Sequence, residues 1–291
     1  MRVLVVGAKG MLGSDVVTAF DVAGHEVVGL DLPELDITDP MSTAQIASGQ
    51  LGQFDWAVNG AAYTAVDRAE SEKDDAYRVN ALGVSYLAQA CQMAKIRLIH
   101  IGTDFVFDGQ KNAPYVETDR ANPIGIYAES KLEGEKAALS QGAIVLRTAW
   151  LFGPNGPSFP RTMIRAWLEG KSLRVVADQI GSPTYTEELA RMIVDSTDSN
   201  LEPGLYHAAG PEAMSWYDLA IRAITTYRDV VLKEDRPITI QAIRTEDWPT
   251  AARRPKYSVL DSGKLEALVN PMEAFDSSLV RFVQRLENQP K

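Results

Sequence analysis

The chain has 291 residues, of which 45% are apolar and 23% charged, and its formal net charge is −10. This length suits one large α/β domain, or a nucleotide-binding domain that carries a smaller lobe. No apolar run approaches the roughly 18 residues of a membrane span, and the acidic balance argues against nucleic acid as a partner. We therefore expect neither a membrane protein nor a nucleic-acid-binding protein.

The N-terminus runs from one basic residue into a short apolar stretch that ends at Gly7, with no small-residue cleavage site behind it. This pattern is typical of a first strand and not of a signal peptide. The single cysteine, Cys91, allows no intramolecular disulfide. The sequence therefore predicts a cytoplasmic protein in which Cys91 is a small, buried apolar side chain.

Short β-rich runs alternate with helix-length segments through the first half of the chain. The five runs cover residues 3–6, 26–30, 55–58, 97–101 and 143–147. Such alternation is typical of βαβ crossovers. The sequence thus predicts an α/β fold of the Rossmann type, a doubly wound parallel sheet covered by helices on both faces, over residues 1–152.

The second half has short strands near 173–176 and 204–208 and a helix over 215–227 that begins with a capping box. Residues 153–291 are therefore predicted to form a smaller α/β lobe for the substrate, partly interleaved with the sheet at about 173–208. Two long loops, 109–123 and 153–160, have the length of functional loops. The basic run 253–256 is either a local anion contact or a solvated surface.

A glycine loop follows the first strand directly and leads into a helix. Gly7, Gly10 and Gly13 are spaced GxxGxxG. Glycines allow the backbone to turn sharply and to approach a pyrophosphate, whose charge then lies at the helix N-terminus. The position after the strand favours dinucleotide binding over a purely structural turn.

Acidic and small residues at the next strand ends fit the rest of a dinucleotide. Asp31 lies 24 residues after Gly7 and can accept hydrogen bonds from the adenosine ribose, which favours NAD, although Lys9 partly offsets its repulsion of a 2′-phosphate. Asp36 and Ile37 either border the adenine or form a turn that Asp36 caps. The small residues in 59–64 would let the nicotinamide ribose come close to the sheet.

Tyr127 and Lys131 are four residues apart, so on a helix both point to one face, and Thr103 follows the fourth predicted strand. Reduction of a ketone leaves an alkoxide that needs a proton, and a phenol can supply it when its pKa is lowered. A lysine ammonium about 4.5 Å away would bring the pKa of Tyr127 close to neutrality, and an oxidised nicotinamide would act in the same direction. Thr103 would hydrogen-bond the substrate oxygen.

With these residues the chain resembles the extended short-chain dehydrogenase/reductases, and within them the dTDP-4-dehydrorhamnose reductases, nearly from end to end. The motifs that carry the resemblance are residues 7–13, 59–70 (NGAAYTAVDRAE), 103–109 (TDFVFDG), 127–131, 147–153 (RTAWLFG), 178–184 (DQIGSPT) and 252–261 (ARRPKYSVLD). The resemblance implies NADH or NADPH as the cofactor and a nucleotide sugar as the substrate.

The resemblance also assigns roles to single residues. By it, the residues that touch the dinucleotide are Gly10, Met11, Leu12, Asp31, Asp36, Ile37, Ala62, Tyr63, Thr64 and Asn80, with Tyr127 and Lys131. Thr103, Asp104 and Trp150 would contact the sugar nucleotide, with Trp150 as a flat apolar wall for a deoxysugar. The alternatives are a helix-surface role for Asn80, a turn cap for Asp104 and a core position for Trp150.

Two positions test the resemblance. The family usually has an Asn-Phe pair in the loop after Gly153, where this chain has Ser158-Phe159. Some relatives hold Mg²⁺ through an acidic residue at the position of Asp15. A single carboxylate in a first helix is more often a surface residue that suits the helix dipole, so we expect no metal.

The resemblance implies reduction of the 4-keto group of dTDP-4-dehydro-L-rhamnose to dTDP-L-rhamnose for cell-surface polysaccharide, by a monomer or homodimer. A nucleotide-sugar epimerase or dehydratase is an alternative, although a 4,6-dehydratase has a second acid where this chain has Phe105 after Asp104. A non-catalytic subunit resembling the β subunit of methionine adenosyltransferase is a further alternative, which the intact Thr103, Tyr127 and Lys131 set disfavours.

Overall fold

A computed structural model describes residues 1–287, which form strands β1–β12 and helices α1–α11. The strands are β1 Arg2–Val6, β2 Glu26–Leu30, β3 Trp56–Asn59, β4 Arg97–Thr103, β5 Ile144–Thr148, β6 Leu151–Phe152, β7 Leu173–Val176, β8 Ile180–Gly181, β9 Thr184–Tyr185, β10 Gly204–His207, β11 Met214–Ser215 and β12 Ile240–Ile243. The helices are α1 Met11–Val22, α2 Pro40–Ala47, α3 Val66–Ala69, α4 Lys73–Tyr77, α5 Val84–Ala94, α6 Ile126–Ser140, α7 Phe159–Leu168, α8 Thr186–Asp198, α9 Trp216–Tyr227, α10 Gly263–Glu266 and α11 Phe275–Glu287.

Six parallel strands form the main sheet in the order β10-β5-β4-β3-β1-β2. Residues of β1 alternate between the two faces: Val3 and Val5 pack with α1 and α8, whereas Leu4 and Val6 pack with α2 and α5. Because both faces are covered, the strand is apolar throughout and shows no polar alternation. The predicted Rossmann-type sheet is confirmed, and Cys91 is buried in its core as expected.

The strands run one residue or more beyond several predicted bounds. β3 covers Trp56–Asn59 and β4 extends to Thr103, so Thr103 is the last strand residue and does not follow the strand. The extension of β4 is paired, since Thr103 lies opposite Thr148 of β5. Thr103 therefore has the rigid position of a sheet residue at the carboxyl edge.

The chain reverses its direction of travel across the sheet at β1, which lies between β2 and β3. Loops that leave neighbouring strands in opposite directions open a crevice at the carboxyl ends, where α/β sheets bind ligands. The loops after β1 and β3 touch closely here, because a Cβ on Gly7 would lie 2.7 Å from the backbone nitrogen of Ala61. Gly7 also has a φ of +78°, which favours glycine.

The second half of the chain builds a separate core from α7, α9 and α11, in which Phe152, Trp167 and Phe282 are buried. Ser215 and Asp218 form the predicted capping box at the start of α9. β10 and α8 return to the main sheet, where α8 packs on α1. The last residues of the predicted lobe, 288–291, lie outside the described residues. No helix within residues 1–287 is long and apolar enough to cross a bilayer.

A π-helical turn, Arg78–Gly83, connects α4 to α5 and packs against α6 at close range. A Cβ on Gly134 of α6 would lie 1.9 Å from the backbone oxygen of Asn80 in this turn. Only a glycine allows this approach, which brings α6 against the segment that precedes α5.

We expect Gly134→Ala to destabilise the protein by about 1–3 kcal/mol, because the added methyl group forces the two helices apart. Urea unfolding followed by circular dichroism measures the change in the free energy of unfolding. In a helix without this contact, Gly→Ala would stabilise by about 0.5–1 kcal/mol. A stabilised Gly134→Ala variant would therefore contradict the close packing.

Candidate active site

The glycine loop is built to leave backbone N–H groups free at the start of α1. Gly10 is the N-cap and offers no side chain, and the first turn of α1 contains no acidic residue. A Cβ on Gly13 would lie 2.0 Å from the carbonyl oxygen of Gly7, so the loop folds directly onto the helix. The free N–H groups of Met11, Leu12 and Gly13 thus form a cradle that fits a pyrophosphate.

Asp31 lies at the end of β2 and fixes the glycine loop. Its carboxylate accepts hydrogen bonds from the backbone nitrogens of Lys9 at 2.9 Å and Leu32 at 2.8 Å. The Lys9 ammonium is exposed and pairs with Glu34 at 3.2 Å. The Asp31 carboxylate and the exposed Lys9 ammonium therefore lie in the region where an adenosine ribose would bind.

Asp36 and Ile37 occupy the next loop with different roles. Asp36 accepts hydrogen bonds from the backbone and the hydroxyl of Thr38, both at 2.8 Å, so it caps the turn. Ile37 is 5% exposed and packs against Gly83. These contacts leave Asp36 half-buried and Ile37 buried.

Asn80 joins the loop after β3 to α6. Its side chain accepts a hydrogen bond from the backbone nitrogen of Tyr63 at 2.9 Å and donates to the Tyr63 oxygen at 3.0 Å and to Ser130 Oγ at 3.1 Å. The residue is fully buried, so the helix-surface alternative is wrong: the π-helical turn directs the side chain inwards. Ala62 and Thr64, which flank Tyr63, face the crevice edge and remain partly or fully exposed.

The catalytic residues predicted from the sequence meet at the carboxyl edge of β4. Tyr127 lies in the first turn of α6, close enough to the Thr103 hydroxyl for that group to lower the pKa of the phenol. The ring of Phe105 meets the Tyr127 ring edge-on at 5.9 Å between centroids. Tyr127 is half-buried, with a threonine hydroxyl and an apolar wall around its phenol.

The predicted lowering of the Tyr127 pKa is wrong for the protein without ligand. Burial raises the pKa of Tyr127 to about 12, and the charge of Asp104 acts in the same direction. The reason is where the ammonium lies: Lys131 Nζ donates to the carbonyl oxygen of Ile101 at 2.6 Å. Lys131 and Tyr127 share a helix face as predicted, but the lysine charge is directed towards the sheet.

Lys131 is buried, with 3% of its surface exposed. Burial lowers the pKa of its ammonium to about 8, although the charge of the Glu135 carboxylate raises the pKa. Glu135 also forms a two-bond ion pair with Arg147 at 2.5 and 2.9 Å. His100 lies near the same cation, and burial together with the Lys131 charge lowers the pKa of His100 well below its usual value. The imidazole is therefore neutral.

Thr103 is the N-cap of the turn after β4. Thr103 Oγ1 accepts the hydrogen bond from the backbone nitrogen of Phe105 at 3.2 Å and takes this role. Asp104 is 2% exposed. Burial raises its pKa to about 7, although the Ser258 and Thr103 hydroxyls lower the pKa. The carboxyl group therefore lies inside the site.

Trp150 has a positive φ of +46°, a strained conformation for a bulky side chain and one that occurs mostly at functional sites. Its indole stacks on Trp216 at 3.5 Å with an angle of 6° between the rings. A Cβ on Gly181 would lie 2.4 Å from the Trp150 ring, so only a glycine fits behind it. Trp150 is partly exposed and is held between these two neighbours.

The loop 153–158 covers the start of α1. Asn155 donates to Asp15 Oδ1 at 2.7 Å, and a Cβ on Gly156 would lie 2.9 Å from that of Met11. Asp15 is 5% exposed, so the surface alternative is wrong, and burial raises its pKa. Ser158 is buried, and its hydroxyl has no hydrogen-bond partner. Within residues 1–287, no group of three or more His, Cys, Asp or Glu side chains is placed to hold a metal ion.

A cleft of about 530 Å³ begins beside the Trp150–Trp216 pair. Its lining includes Asp67, Phe159, Met163, Arg174, Gln179, Trp216, Trp248, Thr250 and Arg254. Arg254 pairs with Asp67 at 2.7 Å, so one residue of the basic run 253–256 has a fixed position. Trp248 is 53% exposed.

Sequence reasoning missed three contacts that build the site. Glu70 accepts a hydrogen bond from the backbone nitrogen of Ile126 at 2.9 Å and so caps α6, whose N-cap Gly125 has no side chain. The Glu135–Arg147 ion pair and the Trp150–Trp216 stack were also missed. Only Glu135 had a local signal, because it lies four residues after Lys131 on the same helix face.

We expect Lys131→Met to be inactive but more stable than the wild type by about 2 kcal/mol at pH 7. Removal of the buried ammonium gains about 3 kcal/mol, less about 1 kcal/mol for the hydrogen bond to Ile101. The pKa of Lys131 is about 8 in the folded protein, which is lower than in the unfolded chain. Above pH 8 the unfolded chain therefore binds more protons than the folded protein. Urea unfolding should therefore show a stability difference that shrinks as the pH rises from 8 to about 10; a pH-independent difference would contradict a buried, charged Lys131.

Comparisons with known proteins identify the family of the chain. The RmlD substrate binding domain family matches residues 1–288. A dTDP-4-dehydrorhamnose reductase from Aggregatibacter actinomycetemcomitans is 40% identical over 273 residues, which cover 91% of this chain and 92% of that protein.

Two solved dTDP-4-dehydrorhamnose reductases have the same fold. The one from Clostridium acetobutylicum has a TM-score of 0.90 and 33% identity, and the match covers 99% of this chain and 100% of that chain. The one from Bacillus anthracis, solved in complex with NADP, has a TM-score of 0.89 and 34% identity over 97% of this chain and 98% of that chain. The chain therefore belongs to the RmlD family, that of the dTDP-4-dehydrorhamnose reductases.

Proposed function

We propose that the protein reduces the 4-keto group of dTDP-4-dehydro-L-rhamnose to the hydroxyl of dTDP-L-rhamnose with NADH or NADPH. The observation that carries this proposal is the position of Thr103, at the carboxyl end of β4, and of Tyr127, in the first turn of α6, at the edge of the sheet that also bears the glycine loop. One hydroxyl can hold a carbonyl oxygen while the other supplies a proton to it. Membership of the family supports the same reaction.

The residues fit a dinucleotide on their own geometry. The N–H groups at the start of α1 can bind a pyrophosphate, and Gly7 and Gly13 let the loop fold closely enough to present them. When bound, NAD(P)H would supply a hydride to the carbonyl carbon of the substrate. Asp31 favours the ribose of NADH, and the exposed Lys9 ammonium can turn towards the 2′-phosphate of NADPH. We propose that both cofactors serve.

The proton path begins at Tyr127. As negative charge develops on the carbonyl oxygen, Thr103 donates a hydrogen bond to it and Tyr127 transfers its phenolic proton. A phenol with a pKa of about 12 is protonated at neutral pH, so the proton is present when it is needed. Phe105 follows Asp104 at the sequence position where a 4,6-dehydratase has a second acid, which favours reduction over the dehydratase reaction.

The cleft beside Trp150 is the proposed place for the nucleotide part of the substrate. Its volume of about 530 Å³ lies within the usual range for small-molecule sites. Arg174 gives it a positive charge that can meet a diphosphate in a chain of net charge −10, beside the Arg254–Asp67 ion pair. Trp248, exposed at its rim, offers a face on which a base can stack.

We expect the purified protein to oxidise NADH and NADPH in the presence of dTDP-4-dehydro-L-rhamnose. Tyr127→Phe keeps the ring and its packing but removes the proton donor, so kcat should fall by about 10²–10⁴-fold. Absorbance of the reduced cofactor measures both rates. If the wild type oxidises neither cofactor, the proposed substrate is wrong.

Trp248→Ala should raise KM for the nucleotide sugar about tenfold and leave kcat unchanged, because base stacking contributes about 1–3 kcal/mol to binding. The exposed side chain has little part in folding. Leu268→Ala, which removes another side chain that is 53% exposed but lies outside the cleft, is the control. A loss of kcat at constant KM would place Trp248 at the reacting group and not at the base.

A further inference from the structure

The Trp150 side chain is held in a conformation that a free tryptophan would avoid. Its φ of +46° lies in the left-handed region, which is unfavourable for a bulky residue unless the surrounding structure enforces it. Its ring also lies almost face to face with that of Trp216, at 3.5 Å between the centroids, whereas aromatic pairs prefer offset arrangements at about 4.5–7 Å. Both features require neighbours that fix the indole.

Trp216 is one of these neighbours, and its own position is fixed. It is the first residue of α9, and the preceding Ser215 forms the capping box of that helix with Asp218. Ser215 also belongs to β11, which pairs with β8, the strand that contains Gly181. Trp216 and Gly181, which both lie against the Trp150 ring, are therefore carried by directly connected elements.

Trp150 lies close to the reacting centre of the proposed reduction. It follows Thr148 by two residues, and Thr148 pairs with Thr103 at the carboxyl end of β4. The indole packs against the core of the second half of the chain and also against the cluster around Phe107, so it lies where the two meet. Trp150 is partly exposed, which leaves part of its surface available to a ligand.

Trp216 also borders the cleft of about 530 Å³ in which we place the nucleotide. Phe159, another residue of that cleft, packs against the Trp216 ring at 4.7 Å between the centroids. Trp216 thus lies between the proposed nucleotide site and the Trp150 indole. A change at this one side chain would therefore reach the sugar end of the site through Trp150.

We propose that Trp216 is a positioning residue for the sugar part of the substrate, because it holds the Trp150 indole as a rigid apolar wall. The inference rests on the proposed reductase function. A deoxysugar can pack an apolar face on an indole. A wall that is already fixed loses little side-chain freedom when the sugar binds, which favours binding. Without the stack, the strained backbone of Trp150 would relax and the wall would move.

Titration calorimetry with dTDP and with dTDP-L-rhamnose isolates the contribution of the sugar, because contacts to the nucleotide cancel in the ratio of the two affinities. In the wild type, burial of one sugar face on the wall should make dTDP-L-rhamnose bind about tenfold more tightly than dTDP. Trp216→Ala should abolish this gain. Trp216→Phe keeps an aromatic ring against Trp150 and should retain the gain within about threefold.

Trp248→Ala is the matched control, because Trp248 borders the same cleft. It should weaken both ligands equally and leave the ratio of affinities unchanged. Binding of dTDP by a variant also shows that the variant is folded. An unchanged ratio in Trp216→Ala would overturn the proposal, and so would an equal loss of the gain in Trp216→Ala and Trp216→Phe or the absence of any gain in the wild type.

A second measurement needs no ligand. Two nearly parallel indoles at this distance should give an exciton couplet in far-ultraviolet circular dichroism. We expect the couplet in the wild type and in Trp248→Phe, and its loss in Trp216→Phe and Trp150→Phe alike. A wild type without the couplet would overturn the proposal, whether or not the protein proves to be a reductase. A wild type that shows the couplet but binds neither ligand would refute the proposed substrate, and the proposal with it.

Discussion

A buried lysine ammonium is the constraint on which the rest of the site depends. Lys131 needs partners away from water, and it finds them in the Ile101 carbonyl oxygen and in the nearby Glu135 carboxylate. Glu135 in turn is paired with Arg147, and both side chains are 4% exposed. Gly102 makes space for this arrangement, because a Cβ there would lie 3.0 Å from the Arg147 side chain. This one buried cation thus constrains the residues on a helix face, on a neighbouring strand and at a glycine.

The site is assembled from segments that are distant in the sequence but meet at one edge of the sheet. The glycine loop and the loop after β3 flank the crevice where the strand order reverses. Asn80 holds the second of these loops against α6, and Glu70 caps the helix that carries Tyr127. Asn80 and Glu70 therefore connect the loop after β3 to α6. These connections fix the position of a proton donor on α6 relative to a hydride donor in the crevice.

Local sequence patterns predicted the sheet, the glycine loop between β1 and α1 and the shared helix face of Tyr127 and Lys131, because each depends on spacing within a strand or a helix. The sequence did not reveal where the Lys131 ammonium points, since that depends on a carbonyl oxygen 30 residues away along the chain. The same holds for Asp15 and Asn80, whose burial follows from the loop 153–158 and the π-helical turn that pack on them. Contacts made across the fold were out of reach of pattern reasoning, and these are the contacts that set the pKa values.

We infer that Tyr127 stays fully protonated in the ligand-free protein and becomes more acidic only when a dinucleotide completes the site. The direct test is the ultraviolet tyrosinate signal of the wild type minus that of Tyr127→Phe, measured against pH with and without NADP⁺. We expect no ionisation of Tyr127 below about pH 10 in the free protein, in line with a pKa of about 12, and a lower pKa in the complex, because the positive nicotinamide stabilises the phenolate. Ionisation of Tyr127 near neutral pH without any ligand would contradict the account.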